Sequence, residues 1–261
     1  MKRTLITPNL DQIPKEFHSL LANSAVYDSS CSPLAKVFFI DKDDGYYLKR
    51  SPKGTLEKEV LLTKHFHSKK LSANVLEYLT LNEDWMLTER VCGEDCTHQL
   101  YLENPKRLCD TTAELLRKLH ETSFEDCPVQ NRSDIYVNTV IQNHKTGNYD
   151  KTAFPDSFGY KSAEEAWNVA SKNLKYLKND TLLHGDYCLP NIMLNDWKFT
   201  GFIDLDNAGV GDKHIDIFWG IWTLFFNLKT NEFAKRFIDA YGKNEINTDM
   251  LKVIAACEVF G

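Results

Sequence analysis

The stretch His184-Gly-Asp-Tyr-Cys-Leu-Pro-Asn191, followed shortly by Gly201-Phe-Ile-Asp-Leu-Asp206, decides how this chain is read. Asp186 follows a short apolar run, Thr181–Leu183, and a glycine, so it is expected on a tight loop. Asn191 stands behind Pro190, which stiffens that loop. Asp204 falls at the end of a second short run, Phe199–Leu205, after a turn signal at Asn195-Asp196. A hairpin of that kind would carry Asp186, Asn191 and Asp204 to one end of a sheet. An amide oxygen and a carboxylate, Asn191 and Asp204, are hard donors suited to Mg²⁺ once phosphate oxygens and waters complete the shell. The remaining carboxylate, Asp186, is then left to take a proton from a hydroxyl. That division of labour is what phosphoryl transfer requires. Taken singly, Asp and Asn in loops are ordinary turn formers. The chemical reading rests on the set, in this order, between these strands.

Upstream, the pattern is strand-rich. Val37–Ile40 and Tyr46–Leu48 flank the turn signal Asp43-Asp-Gly45 and predict a hairpin. Thr55 is placed to cap a helix carrying Leu56, Val60, Leu61 and Phe66. Val75–Leu79 and Trp85–Thr88 predict two more strands around Asn82-Glu-Asp84. Beyond Gly93 the periodicity becomes helical. Asn104-Pro105 opens a helix with Leu108, Thr112, Leu115 and Leu119, ending near His120. Cys127 to Ser162 has weak periodicity, Ser162 to Lys178 is helical again, and from Asp212, a candidate N-cap, the chain reads as helical to the end. The composition changes near residue 92, so residues 1–91 and 92–261 are expected as two lobes, with a ligand site in the cleft.

The strings HGDYCLPNIML and FTGFIDLDNAGVGDKHIDI, with VYDSSCSPLAKV at 26–37, LRKLHETSFEDCP at 116–128 and LKVIAACEVF at 251–260, resemble the aminoglycoside O-phosphotransferases, most of all the 3′-phosphotransferases. The resemblance implies an α+β, two-lobe, protein-kinase-like fold, with a small antiparallel-sheet N-terminal lobe and a larger, mainly helical C-terminal lobe. It implies an ATP- or GTP-dependent, Mg²⁺-dependent kinase that conveys antibiotic resistance by phosphorylating the 3′-hydroxyl of an aminoglycoside. Asp186 is then the catalytic base, and Asn191 and Asp204 are the magnesium ligands. His184 and Asp216 brace the catalytic loop. Lys49 meets the α- and β-phosphates, with Glu59 preferred over Glu57 as its partner. Ser29, Ser30 and Ser32 stand in the nucleotide-positioning loop, and Thr88, Glu89 and Val91 in the hinge that meets adenine. Asp150, Asp156, Glu258 and Phe260 are the implied acceptor contacts. Several acidic positions of that family are replaced here: Cys257 precedes Glu258, Phe226 and Asn227 occupy a helical position usually acidic, and Lys151, Thr152 and Ala153 stand in the insert. Those losses weaken attraction to a polycation and favour a flatter or less charged acceptor.

Composition sets the outer bounds. The chain has 261 residues, a formal net charge of −6 and a hydrophobic fraction of 43%, which excludes wholesale disorder and gives no basic footprint for nucleic acid. Seven cysteines without a CxxC, Cys31 to Cys257, argue for reduced thiols in a cytoplasm. Cys92, Cys96 and His98 fit no zinc spacing. The N-terminus is too polar for a signal peptide, and Ile215–Phe226 is too short and too polar for a membrane span. The expected partner is a cationic small molecule, with no nucleic acid, no membrane and no obligate protein partner. Alternatives remain: a kinase of another small alcohol, a silent nucleotide-binding module, and a metal-dependent hydrolase built on His184, Asp186, Asp204 and Asp206. The last would need more histidines nearby.

Overall fold

A computed structural model describes residues 3–31, 35–149 and 158–261. The chain groups into two compact units. One is Met1–Asp95 with Ile192–Asp206, and the other is Cys96–Asn191 with Asn207–Gly261. The first unit thus takes in a later segment that a cut after residue 91 leaves in the other lobe.

The first unit is built on a six-stranded antiparallel sheet of β1 (Thr4–Ile6), β2 (Ala25–Asp28), β3 (Lys36–Asp41), β4 (Tyr46–Pro52), β5 (Val75–Thr80) and β6 (Glu83–Glu89), in the order β1-β2-β3-β4-β6-β5. Register places Val26 opposite Ile40, and Leu48 opposite both Phe38 and Leu87. Because side chains alternate along a strand, these residues share a face. That face packs on Ile13, Phe17 and Leu21, the last from the short helix α1 (His18–Leu21). The same alternation turns Lys49 and its register partner Met86 to the opposite face. There the helix α2 (Glu57–Ser68) lays down Val60, with Leu56 just before it, against Val75 and Met86.

Thr55 does not cap α2. Its hydroxyl turns back to the Pro52 carbonyl at 2.7 Å, and the buried Asp84 carboxylate accepts from Leu56 N at 3.0 Å instead. A carboxylate across the sheet displaces the local hydroxyl because an ionised acceptor makes the stronger bond.

A second sheet in this unit joins β7 (Glu94–Asp95), β9 (Ile192–Asn195) and β10 (Lys198–Phe202) in the order β10-β9-β7. The β9–β10 turn places Asp196 and Trp197 at φ 47° and 65°, the backbone that a two-residue hairpin demands. Gly93 enters β7 at φ 96°, and a Cβ there would lie 2.1 Å from the Leu194 carbonyl oxygen.

The second unit is mainly helical: α3 (Gln99–Leu102), α4 (Pro105–His120), α5 (Arg132–Thr146), α6 (Ala163–Asn173), α7 (His214–Leu228), α8 (Phe233–Tyr241) and α9 (Thr248–Glu258). Helix α4 packs on α8, and α9 packs on α6 and α7. Their core gathers Val140, Ala166, Ala170, Ile215, Ile254, Ala256 and Phe260. One small ribbon pairs β8 (Thr181–Leu183) with β11 (Gly209–Gly211). The expectation of a hairpin carrying all three functional residues is therefore corrected. The strand before His184 pairs with β11, and β10 pairs with β9 in the other unit. Helix α5, in the stretch of weak periodicity, was also not foreseen. It buries only Ser133, Tyr136 and Val140, too few apolar positions to set a period.

The N-cap position of α7 falls to Lys213 rather than to Asp212, which stands one residue earlier and accepts from His214 N at 3.0 Å. None of the seven cysteines forms a disulfide: Cys31 and Cys92 are exposed, Cys188 is half-buried, and Cys96, Cys109, Cys127 and Cys257 are buried. Among the described residues no helix is long and apolar enough to cross a membrane.

Gly93→Ala should cost about 2–4 kcal/mol of stability, combining backbone strain with an overpacked contact. A thermal or urea denaturation series reads this directly.

Candidate active site

In the first unit the functional side chains are set by the sheet–helix pairing just described. Lys49 Nζ donates to Glu59 Oε1 at 2.9 Å and Oε2 at 2.7 Å. The choice between Glu57 and Glu59 therefore falls on Glu59, which is 5% exposed and faces the sheet. The ammonium group also reaches Asp204 Oδ1 at 3.3 Å. Burial opposes the Lys49 charge, but the Glu59 and Asp204 carboxylates outweigh it and hold the amine above its ordinary value. Burial raises Glu59, and Lys49 offsets this only in part, because Asp204 and Asp206 add negative charge nearby. Asp204 lies two residues past β10, exposed, at φ 59°. Next on α2, Lys58 pairs with Asp206 at 3.2 Å.

The serine loop is closed on itself. Ser29 N donates to Val37 O at 2.8 Å, Ser30 N donates to Asp28 Oδ1 at 2.9 Å, and Ser30 Oγ accepts from Val37 N at 3.0 Å. Those two N–H groups are thus spent inside the loop, and Ser32 lies outside the described residues. In the hinge, Thr88 sits in β6, between Tyr47 of β4 and Val75 of β5. Glu89 N donates to Asn74 O at 3.1 Å. Val91 is buried beside Gly201.

In the second unit, the loop that carries Asp186 leaves β8 at His184 and Gly185. Both backbone N–H groups end on one carboxylate. His184 N donates to Asp216 Oδ2 at 2.7 Å, and Gly185 N donates to Asp216 Oδ1 at 2.8 Å. Asp216, on α7, is completely buried. Its Oδ2 also meets His120 Nε2 at 3.3 Å, and His120 Nδ1 lies 2.8 Å from the Tyr241 hydroxyl. Sequence reading did not single out His120 for this. Its sign was a histidine ending an amphipathic helix, a position that more often faces water. Gly185 holds φ 80°, and a Cβ there would sit 1.8 Å from the Asn207 carbonyl oxygen. Only glycine lets the two chains approach so closely.

Next along the loop, Asp186 N donates to His184 Nδ1 at 3.3 Å. Asn191 Nδ2 donates to Asp186 O at 3.0 Å and to Asp186 Oδ2 at 2.9 Å. That leaves the Asn191 side-chain oxygen turned away from the carboxylate that its amide group holds. Burial and the neighbouring Asp186 carboxylate push the Cys188 thiol far up, so it stays protonated beside the loop.

Glu258, at the end of α9, accepts from the Tyr136 hydroxyl at 2.8 Å and from Trp219 Nε1 at 3.2 Å, both on Oε1. Burial raises its carboxyl group to about 7 despite those two donors, with Asp186 adding to the rise. Phe260 is 0% exposed. Its ring packs edge-on against Tyr149, Trp167 and His144, and its carbonyl accepts from Asn143 Nδ2 at 2.8 Å. Phe260, an acceptor contact implied by the resemblance, thus has its ring in the core. Asp150 and Asp156 lie outside the described residues.

The chain contains, then, a lysine–glutamate pair with an aspartate beside it, and a loop that presents an aspartate clamped by an asparagine. The family described as "Phosphotransferase enzyme family" matches residues 32–253, and the chain belongs to that family. It is 49% identical over 254 residues to a probable aminoglycoside 3′-phosphotransferase of Lactococcus lactis, covering 97% of each chain. It is 24% identical over 255 residues to an aminoglycoside 3′-phosphotransferase of Staphylococcus aureus, covering 93% of each. Among solved structures, an aminoglycoside-3′-phosphotransferase of type VIII superposes with a TM-score of 0.72 at 18% identity, over 99% of this chain and 94% of that one. An aminoglycoside phosphotransferase from Streptomyces rimosus, in complex with ADP and streptomycin, gives 0.69 at 20% identity, over 86% and 90%. The fold is that of these phosphotransferases, mixed α+β as expected.

A carboxyl group that ionises later in the folded chain than in the unfolded one lowers stability as it loses its proton. The folded protein holds the Glu258 proton to about pH 7, against 4.5 for an unperturbed group. Wild-type stability should fall across that window relative to Glu258→Gln, with the difference constant above it. Paired urea titrations from pH 4 to 8 check the sign.

Proposed function

We propose that this protein transfers the γ-phosphate of ATP to a hydroxyl of an aminoglycoside, the 3′-hydroxyl by likeness to its relatives, and so conveys resistance to that antibiotic. The observation that carries the reading is the Asp186–Asn191 clamp, set on a loop whose backbone is fixed by Asp216. Asp186 would orient the acceptor hydroxyl and take up its proton as the phosphoryl group leaves ADP. Asn191 holds that carboxylate by its Nδ2, so that the base keeps one geometry through turnover.

The donor set suits Mg²⁺. Asn191 spends its amide nitrogen on Asp186 and keeps its carbonyl oxygen available, and Asp204 shares only Oδ1 with Lys49. An ion held by one amide oxygen and one carboxylate completes its shell with phosphate oxygens and water. Asn191 and Asp204 would hold it, and when bound it supplies neutralising charge to the phosphates. Lys49, kept cationic by Glu59 and Asp204, would meet the same phosphate charge from the protein side. ATP rather than GTP, and the cytoplasm as the place of action, belong to this reading.

On the acceptor side Glu258 is the carboxylate that would meet an amino group. Burial raises its carboxyl group to about 7, and an approaching cation would favour its ionised form.

Asp186→Asn should lower kcat for kanamycin by about 10²–10⁴-fold, while the affinity for ATP changes little. A coupled ADP-release assay and nucleotide titration calorimetry read the two quantities separately. Retained turnover would remove Asp186 from the role of base. Turnover of other small alcohols with none of aminoglycosides would assign a different acceptor.

A further inference from the structure

The turn at 203–206, just past β10, belongs to the sheet unit. It carries Asp204 at φ 59°, a conformation that side chains other than glycine seldom adopt. Such a backbone persists where its surroundings hold it. Upstream the hold is plain. Phe202 N donates to Leu71 O at 2.7 Å, just past the end of α2. The Phe202 ring stands edge to face with Phe66 of α2, centroids 6.5 Å apart. Within the turn Leu205 is buried. Downstream the chain returns to the other end of the same helix, where Lys58 Nζ lies 3.2 Å from Asp206 Oδ1. Lys58 and Phe66 stand near opposite ends of α2, about 12 Å apart along its axis.

An ion pair between half-exposed side chains contributes little by itself. This one closes a circuit. Lys49 binds Glu59, and Glu59 is the chain neighbour of Lys58. Lys58 binds Asp206, which is joined through Leu205 to Asp204, and Asp204 returns to Lys49 at 3.3 Å. Asp204 itself is exposed, and its bond is the longest of the three that Lys49 makes. Lys49 is also the group that would turn to the nucleotide phosphates, so its hold on Asp204 is then shared. Lys58 carries no such duty. Its pair with Asp206 can hold the turn while Lys49 is engaged elsewhere.

We propose that Lys58 and Asp206 are positioning residues, whose ion pair pins the turn to α2 and keeps the Asp204 carboxylate in place for the magnesium of a bound nucleotide. The inference rests on the reading of Asp204 as a magnesium ligand given above and adds what holds that ligand still. Two simpler roles predict different behaviour. If Asp206 met the metal itself, releasing it from Lys58 would strengthen the site. If the pair acted only through its charges, loss of the Lys58 ammonium would favour the cation and disfavour the nucleotide. Positioning predicts instead that losing either partner weakens the coupling between metal and nucleotide.

The test measures ADP affinity of the full-length protein by titration calorimetry, once in EDTA and once in excess Mg²⁺. The ratio of the two dissociation constants reports how strongly the metal couples to the nucleotide. Wild type should show a clear gain from Mg²⁺, and Asp204→Asn should lose most of it. Lys58→Met and Asp206→Asn should each reduce the gain about threefold, with ADP affinity in EDTA nearly unchanged. The double variant should match the single ones rather than add to them, and Lys58→Arg should restore the gain. Both side chains are half in solvent, and thermal melts verify that each variant folds. A gain that is unchanged or larger in Lys58→Met overturns the positioning role and leaves the proposed function standing. An equal loss of ADP affinity with and without Mg²⁺ also overturns it, by showing a general structural effect. A wild type whose ADP affinity ignores Mg²⁺, or an Asp204→Asn variant that keeps the full gain, overturns the magnesium reading of Asp204 and the positioning role together.

Discussion

A carboxylate with no access to water must be matched by donors or it unfolds what surrounds it. Asp216 is in that position, and three donors converge on it: His184 N, Gly185 N and the His120 ring. Two of them belong to the loop that presents Asp186. The conformation of that loop is therefore a condition of folding the helical unit, since releasing the loop would strand a charge in the interior. The left-handed Gly185, the β8–β11 ribbon and the closeness of Asn207 all follow from bringing those two N–H groups to one side chain. Such preorganisation gives Asp186, the proposed base, one geometry in advance.

The same logic runs differently in the sheet unit. There the period-two alternation of β4 turns Leu48 to one core and Lys49 to the other face, where α2 brings Glu59. Nothing beyond strand parity and helical spacing is needed to make the pair meet. The resemblance implied Glu59 as the partner of Lys49, and parity and spacing are the physical reason the two meet; the β3–β4 hairpin was legible in its Asp-Asp-Gly turn. Thr55 could not be read correctly, because its rival for Leu56 N is Asp84, distant in sequence and adjacent only once β6 is in place. The pairing of β8 with β11 was hidden for a like reason. Gly209-Val-Gly211 has too few side chains to announce a strand, and its register is set by the partner.

The site shows the same division. Asp186, Asn191 and Asp204 were marked by local order, since loops of this chemistry are short and their spacing survives any packing around them. His120 was not, because a histidine at a helix end looks like a surface residue until Asp216 and Tyr241 enclose it. Phe260 was named from the resemblance alone, which carries no information on how Tyr149, Trp167 and His144 pack around its ring.

The distribution of sulfur has a practical side. Both exposed thiols, Cys31 and Cys92, lie in the sheet unit, while Cys96, Cys109, Cys127 and Cys257 are buried in the helical one. Burial pushes the Cys109 thiol up to about 12 and the Cys257 thiol higher still, so neither offers a thiolate to an alkylating reagent while the helices hold. Maleimide dyes would mark the native protein at two places and gain the others only as the helical unit opens. The chain thus carries its own chemical clock for the opening of one half, readable by mass without any engineered label.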